Sequence, residues 1–316
     1  MSWKANRDKE PSEWDEDIRR SVGEYAGWYL REAPIMWVDA RARAIEEAEQ
    51  AMAVLDDFRA ITVERLEAQP RVLAVIRMAI SPKVARDRFV EFIGVKKNLV
   101  TTMERKGLLP KRAREIQPEL QRICDFADPL LDPQLFPWIQ ESRQPSPRER
   151  QDALLVLGDR RAGANYDPHL RNSQEARQKE LMATFLESNG FEYSTQPAFK
   201  MDPGTFGFGR DVPIPRQDGS RSRSLPCDCV VAPFDSSMPL ACVEMKSAGD
   251  YTNVNKRRKE EAEKAHALSR AYGAEVVFLL QLFGYFNAGY LSFEASENID
   301  WAWDHRLSDL GPYFCL

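Results

Sequence analysis

Histidine, cysteine and long apolar segments are scarce in this sequence, and each scarcity excludes a class of protein. The chain has only 3 histidines, and its 5 cysteines are an odd number without the paired spacing of a disulfide framework, which predicts free thiols in a reducing cytoplasm. The longest apolar run, residues 276–286, is interrupted by Gln281 and Gly284 and is too short to span a bilayer. Residues 1–20 are charged and lack the apolar segment of a secretory signal. The sequence therefore predicts a cytoplasmic protein that does not cross a membrane.

An excess of basic residues is also missing from the chain as a whole. Its 44 Lys and Arg against 49 Asp and Glu give a net charge of −5, which excludes a uniformly basic nucleic-acid-binding surface. A local basic segment is present, because residues 81–122 contain 11 basic and 5 acidic side chains. With 43% apolar and 29% charged residues, the 316-residue chain has an ordinary globular composition and the length of two domains at about 150 residues each.

The hydrophobic pattern divides the chain into a helical part and a part that mixes strands with helices. Residues 1–145 show helical spacing and no alternating strand pattern, and the polar residues 141–150 are typical of a linker. Residues 146–316 begin a second domain with a helix over 172–189 and an irregular stretch over 201–224. Strands are predicted over 227–232, 240–246 and 275–282, with a helix over 255–272. These elements predict an N-terminal helical domain and a C-terminal α/β or α+β core.

Three side chains on two of the predicted strands indicate a site for phosphodiester hydrolysis. Glu244 and Lys246 are two residues apart in a strand and therefore leave the sheet on the same face. Asp228 reaches the neighbouring strand if the 15 intervening residues form a hairpin. Two carboxylates beside one lysine suit Mg²⁺, which polarises a phosphoryl oxygen and acidifies a bound water. The alternative is an exposed strand whose Glu and Lys form a solvated pair.

The same residues resemble a known nuclease signature. Asp228, Glu244 and Lys246 match the PD-(D/E)xK pattern, and the longer run over residues 244–261, with residues 284–306, resembles the XamI-type restriction endonucleases. The resemblance covers residues 171–310 well and the helical half loosely. The sequence departs from the pattern where Cys227 separates Pro226 from Asp228, and the proline is not a ligand.

The resemblance carries a set of expectations about fold and function. It implies a mixed sheet flanked by helices and a type II restriction endonuclease that cleaves double-stranded DNA at a specific site. It implies Mg²⁺ held by Asp228 and Glu244, an attacking water positioned by Lys246, and products with 5′-phosphate and 3′-hydroxyl ends. It also implies a homodimer and a DNA methyltransferase as the genetic companion.

Glu175 is a fourth candidate for the catalytic and metal site. It lies on the same stripe of its predicted helix as Met182 and Leu186, which directs it towards the core. Enzymes with the resembled fold place a carboxylate from the preceding helix beside the metal. The alternative is an acidic residue that interacts only with the N-terminal dipole of its helix.

Basic and amide side chains near the catalytic strand predict contacts with the DNA backbone. The helix after Lys246 begins with a polar and basic segment that is expected to form a phosphate cradle, and the loop before Asp228 contains arginines that can read guanine. The predicted DNA-binding residues of these two segments are Asn253, Asn255, Lys256, Arg257, Arg258, Lys259, Arg221 and Arg223. The alternatives are a solvated charged helix face and an ordinary exposed loop.

Residues 84–106 have the rhythm of a helix-turn-helix segment. Gly94 is predicted to form the turn, and Lys96, Lys97 and Arg105 are predicted to face outward towards DNA. The alternative is a plain helical hairpin within a bundle. Two other functions also fit the sequence: a repair or recombination nuclease of the same core that reads DNA structure, and a DNA-binding regulator without catalysis.

Overall fold

The protein forms two compact units. The computed structural model describes residues 4–110, 116–215, 223–252 and 254–316, and within these ranges all side chains except those of residues 254–257. One unit comprises Met1–Ala33 and Leu170–Leu316, and the other comprises Pro34–His169. These bounds differ from the predicted 1–145 and 146–316. The N-terminal segment belongs with the C-terminal part because Asn6 Nδ2 donates to the Trp301 carbonyl at 2.7 Å.

Helices joined by loops dominate the described part of the second unit, and helices flank the sheet of the first. Their bounds are α1 Asp15–Val54, α2 Val63–Ala68, α3 Leu73–Ala79, α4 Arg86–Ile93, α5 Lys97–Lys106, α6 Gln117–Ala127, α7 Pro137–Gln140, α8 Pro147–Ser188, α9 Val254–Tyr272, α10 Ala288–Ser296 and α11 Gly311–Phe314. The boundaries between the units fall within α1 and α8. Among the described residues, no helix combines the length and apolar character needed to cross a bilayer.

The helix α8 begins inside the predicted linker. Ser146 Oγ accepts a hydrogen bond from the Glu149 amide at 3.3 Å, and the Ser146 amide donates to Glu149 Oε2 at 2.8 Å. This is a capping box, and the first helical position tolerates Pro147 because its missing N–H would have no partner there. The prediction of a linker over 141–150 was therefore wrong from Pro147 onward. The helix predicted over 172–189 is the last part of this longer helix.

A six-stranded mixed sheet forms the centre of the first unit. Its strands are β1 Glu192–Tyr193, β2 Thr205–Ile214, β3 Arg223–Ala232, β4 Leu240–Ala248, β5 Val276–Gly284 and β6 Asp300–Trp303, in spatial order from β1 to β6. The pairs β2–β3 and β3–β4 are antiparallel, and the pairs β1–β2, β4–β5 and β5–β6 are parallel. The α9 helix provides the crossover from β4 to β5, and α10 provides the crossover from β5 to β6.

Helices cover both faces of this sheet, and β4 contributes to both. Val243 packs in a core cluster with Met182 and Leu186 of α8. Cys242, which points to the opposite face, packs in a cluster with Leu268 of α9 and Tyr290 of α10. The predicted fold class, a helical region followed by a mixed sheet flanked by helices, is confirmed.

One strand lies where the sequence predicted irregular structure. β2 occupies residues 205–214 of the predicted stretch 201–224 and pairs with β3 from Thr205↔Ala232 to Ile214↔Arg223. Glycines interrupt its alternating pattern, but Phe206 and Val212 are both buried, in core clusters on opposite faces of the sheet. The irregular-loop prediction was therefore wrong for this segment, and residues 216–222 lie outside the described ranges.

The second unit contains the predicted helical pair. α4 ends at Gly94, which has a φ of +66°, and α5 follows and ends at Gly107 with a φ of +65°. Both glycines take left-handed conformations that close the helices. Inward-facing Leu99, Val100 and Met103 are buried, as the spacing predicts.

Candidate active site

Asp228 lies where the pairing between β3 and β4 opens. The backbone pairs of these strands run from Val231↔Ala241 to Cys229↔Val243. One step further, the Met245 amide donates a hydrogen bond of 2.8 Å to Asp228 Oδ2. The Asp228 side chain therefore takes the place of a backbone acceptor and is held beside β4 at the level of Glu244.

Glu244 and Lys246 lie on one face of β4, as their spacing predicts. Lys246 Nζ donates to Glu244 Oε1 at 3.0 Å, and Lys264 Nζ of α9 donates to the same oxygen at 2.6 Å. The Glu244 side chain is only 6% exposed. Its Oε2 atom is buried and has no hydrogen-bond donor among the described residues. One carboxylate oxygen is thus held by two ammonium groups, and the other is free to bind a ligand.

Burial and neighbouring charges shift the pKa values of Asp228 and Lys246. Burial, followed by the charge of Glu244, raises the pKa of the Asp228 carboxyl, although the Met245 amide opposes the shift. Burial lowers the pKa of Lys246, but the carboxylates of Glu244 and Glu261 outweigh it, so that the pKa is raised. Lys246 is therefore an ammonium ion at neutral pH, and it can donate hydrogen bonds but cannot accept a proton.

These side chains open into one pocket of about 330 Å³, which we call the Glu244 pocket. It is lined by Arg171, Gln174, Glu175, Gln178, Asp228, Glu244, Met245, Lys246 and Ser247. Glu175 comes from α8, as predicted, but the prediction that it faces the core was wrong. Its side chain is 50% exposed and forms an ion pair with Lys179, one turn further along the helix.

The residues present fit a divalent cation that is only partly held by protein. Among the described ranges, no three His, Cys, Asp or Glu side chains are grouped closely enough to hold an ion by themselves. Mg²⁺ commonly binds through one or two carboxylates and completes its shell with waters and substrate phosphate. A buried carboxylate oxygen without a donor is costly, and Glu244 Oε2 is such an atom. Asp228 and Glu244 together supply the two carboxylates that this mode of binding requires.

A buried amide network supports the end of β4. Gln178 of α8 accepts a hydrogen bond from Ser247 Oγ at 2.9 Å and donates to Asp304 Oδ1 at 3.2 Å. Gln281 of β5 donates to the same Asp304 oxygen at 2.8 Å. Arg177 also pairs with Asp304, whose pKa is raised by burial. The network ties α8 and β5 to the strand that bears Glu244 and Lys246.

The family of this chain follows from comparison with known proteins. The family model described as XamI restriction endonuclease matches residues 56–303, a span that includes Glu175, Asp228, Glu244 and Lys246. The chain is a member of the XamI restriction endonuclease family. The resemblance noted in the sequence and the prediction of a restriction endonuclease are thereby confirmed.

Two curated proteins are similar to this family member. The type II restriction enzyme SalI of Streptomyces albus G is 41% identical over 320 residues, which cover 96% of this chain and 98% of that protein. The type II restriction enzyme XamI of Xanthomonas campestris pv. amaranthicola is 26% identical over 176 residues, or 54% of this chain and 59% of that enzyme. No solved structure matches the chain.

Two residues of α9 contact the site of this XamI-family protein and were missed in the sequence. Lys264 bonds to Glu244, and Glu261 Oε1 lies 3.6 Å from Lys246 Nζ. In the sequence, Glu261 appeared to belong to a solvated charged helix face, and Lys264 was not singled out. A signal was available, since Glu261, Lys264 and the buried Leu268 share one helical stripe at offsets of three and seven residues.

The predicted DNA-binding residues near the site fall into different environments. Lys259 is exposed on α9, and Arg223 is exposed at the start of β3. Arg258 is half-buried, with its guanidinium 5.0 Å from the centre of the Phe293 ring. Arg221 and Asn253 lie outside the described residues, and the side chains of Asn255, Lys256 and Arg257 are likewise not among those described. Arg210, which falls within the predicted irregular stretch 201–224, lies on β2 and donates to the Ser194 carbonyl at 2.7 Å.

The predicted DNA-facing residues of the second unit lie at its surface. Lys97 Nζ is 2.9 Å from Asp87 Oδ1, in a pair whose side chains are 67% and 73% exposed. Lys96 Nζ is 3.3 Å from Glu119 Oε1, and Arg105 is exposed. An ion pair as exposed as Lys97–Asp87 contributes little to stability, so Lys97 can exchange it for a phosphate contact.

Proposed function

We propose that this chain is a type II restriction endonuclease that hydrolyses double-stranded DNA at a short specific site with Mg²⁺ as its cofactor. The observation that carries the proposal is the convergence of Asp228, Glu244 and Lys246 on one pocket in a member of the XamI family. The mixed sheet, with these residues on two neighbouring strands, supports assignment of its core to the PD-(D/E)xK nucleases.

Each residue of the site has a defined part in this reaction. Asp228 and Glu244 would hold the ion, with Glu175 assisting from α8. When bound, Mg²⁺ polarises a phosphoryl oxygen and lowers the pKa of a coordinated water. Lys246 orients the attacking water or donates to a non-bridging oxygen as negative charge develops on it. Attack on phosphorus with release of the 3′ oxygen leaves 5′-phosphate and 3′-hydroxyl ends.

The proposal extends to the setting in which the enzyme acts. A palindromic site is read most simply by a two-fold symmetric protein, so the enzyme acts as a homodimer. Its genetic companion is a DNA methyltransferase that protects the same site in the host. The endonuclease and the methyltransferase both act on double-stranded DNA in the cytoplasm.

Digestion of a sequenced plasmid tests this function directly. With Mg²⁺ the purified protein should give discrete bands, and sequencing of the ends should map one repeated site with 5′-phosphates. A smear, or cleavage only at branched or flapped DNA, would instead show a nuclease that reads structure. Binding without cleavage of any DNA would show a non-catalytic regulator.

A double substitution tests whether α5 contacts DNA. Replacing Lys97 and Arg105 by alanine should weaken DNA binding and reduce the slope of log affinity against log salt by about 2, because each phosphate contact releases about one counterion. The measurement is fluorescence anisotropy in Ca²⁺ from low to moderate salt.

The matched control is an equal change of charge at other exposed sites of the same unit. Arg43 and Arg148, replaced by alanine, remove the same two charges from α1 and α8. Equal salt slopes for the two double variants would assign α4 and α5 to the ordinary helical hairpin.

A further inference from the structure

The Lys246 ammonium lies between carboxylates from two different elements. Glu244 Oε1 of its own strand is 3.0 Å away, and Glu261 Oε1 of α9 is 3.6 Å away. Glu244 Oε1 also accepts a hydrogen bond of 2.6 Å from Lys264. Glu244 is therefore shared between two lysines, and it cannot by itself determine where the Lys246 side chain rests.

Glu261 is itself held from behind by α10. Its side chain is 1% exposed, and its Oε2 atom accepts a hydrogen bond of 2.8 Å from the Tyr290 hydroxyl. Its Oε1 atom is buried, has no hydrogen-bond donor among the described residues, and has the Lys246 ammonium as its opposite charge. A buried carboxylate is stable only when it is paired, so this geometry couples Glu261 to Lys246.

A second buried carboxyl, that of Glu294, lies beside Glu261. Glu294 of α10 is fully buried, and burial together with the charge of Glu261 raises its pKa to about 9. Glu294 is therefore neutral at pH 7. The two residues occupy the same part of the core, but only Glu261 is within reach of Lys246.

We propose that Glu261 is a positioning residue for catalysis, which holds the Lys246 ammonium at the reacting phosphate and leaves Glu244 Oε2 free for the metal. This inference rests on the proposed function. The Tyr290 hydroxyl holds the Glu261 carboxylate in place. This carboxylate in turn holds the Lys246 ammonium by electrostatic attraction, on the face of the sheet that α9 covers. Lys264 bonds to Glu244, whereas Glu261 pairs with Lys246.

Replacing Glu261 by glutamine tests the proposal, since the shape is kept and the charge is removed. The single-turnover cleavage rate on a duplex containing the site mapped for the wild-type enzyme should fall about 10- to 100-fold, the range usual for residues that orient a functional group. Affinity for that duplex in Ca²⁺ should remain within about twofold. A wild-type cleavage rate for Glu261→Gln would overturn the proposal.

Two matched controls separate positioning from a structural role. Glu294→Gln replaces a group that is already neutral in the same part of the core, and Glu263→Gln removes a charge from the exposed face of α9. Both should cleave at the wild-type rate. If Glu294→Gln lowers the rate as much as Glu261→Gln, the cluster serves packing alone and the proposal fails.

Tyr290→Phe keeps the test decisive if Glu261→Gln does not fold. It leaves the carboxylate in place and removes its hydroxyl donor, so the cleavage rate should fall several-fold at unchanged DNA affinity. An unchanged rate would count against the proposal. Failure of the proposed function looks different, because the wild-type protein would then not cleave DNA at a specific site. This inference alone fails if Lys246→Ala is inactive and Glu261→Gln is fully active.

Discussion

Replacing Lys246 by alanine is expected to lower the rate of DNA cleavage by about a thousandfold, the loss typical when a preorganised donor to developing charge is removed. The pKa of Lys246 is raised by the carboxylates around it, so the side chain enters the reaction as a cation. Alanine leaves no group that can donate to the attacking water or to the phosphoryl oxygen. The measurement is single-turnover cleavage of a duplex with the mapped site in Mg²⁺.

DNA binding should survive this substitution, since the contribution of Lys246 lies in the transition state. Affinity in Ca²⁺ is expected to stay within a few-fold of wild type, and Glu244→Gln should behave in the same way. Lys200 provides the control, because it is an exposed lysine of the same unit outside the Glu244 pocket. A Lys246→Ala protein that still cleaves within tenfold of wild type would remove the lysine from the catalytic group.

Replacing Glu104 by alanine should lower the free energy of unfolding by about 3–5 kcal/mol, as expected when a buried charge loses its partner. Glu104 of α5 is 1% exposed and pairs with both Arg77 of α3 and Arg86 of α4. Arg77 is itself 5% exposed and also donates to the Val84 carbonyl at 2.7 Å. The substitution would leave the Arg77 guanidinium buried without a counter-charge.

Urea unfolding followed by circular dichroism measures this loss. Glu91 of α4 is the control, since it is exposed and its replacement by alanine should change stability by no more than about 0.5 kcal/mol. Adding Arg77→Met to Glu104→Ala should recover part of the stability, because it removes the unpaired charge. A loss below about 1 kcal/mol for Glu104→Ala would mean that solvent reaches the cluster.

Local pattern was sufficient to predict β4 and the helix after it. β4 carries an uninterrupted apolar run before Glu244, and Gly273 ends α9 with a φ of +57°. β2 escaped prediction because glycines interrupt its aromatic residues, and its pairing with β3 appears only in the fold. The start of α8 was not predicted correctly, because proline is typical both of linkers and of the first turn of a helix.

The supporting residues of the site could not be recognised from local pattern alone. Glu261 and Lys264 stand among charged neighbours, and in an isolated helix they would be solvated. Their pairing with Lys246 and Glu244 exists only because the crossover from β4 to β5 packs α9 against the sheet. Gln178 and Gln281 are likewise separated by 103 positions and meet only in the fold.

The bond from the Met245 amide to Asp228 makes this aspartate a structural member of the sheet as well as a candidate ligand. Alanine at position 228 would leave the buried Met245 amide without a hydrogen-bond acceptor. A loss of activity could then come either from a disturbed fold or from the loss of a metal ligand. Asparagine keeps an oxygen for that donor and removes only the negative charge. Asp228→Asn is for this reason the substitution that reports on the chemical role of the residue.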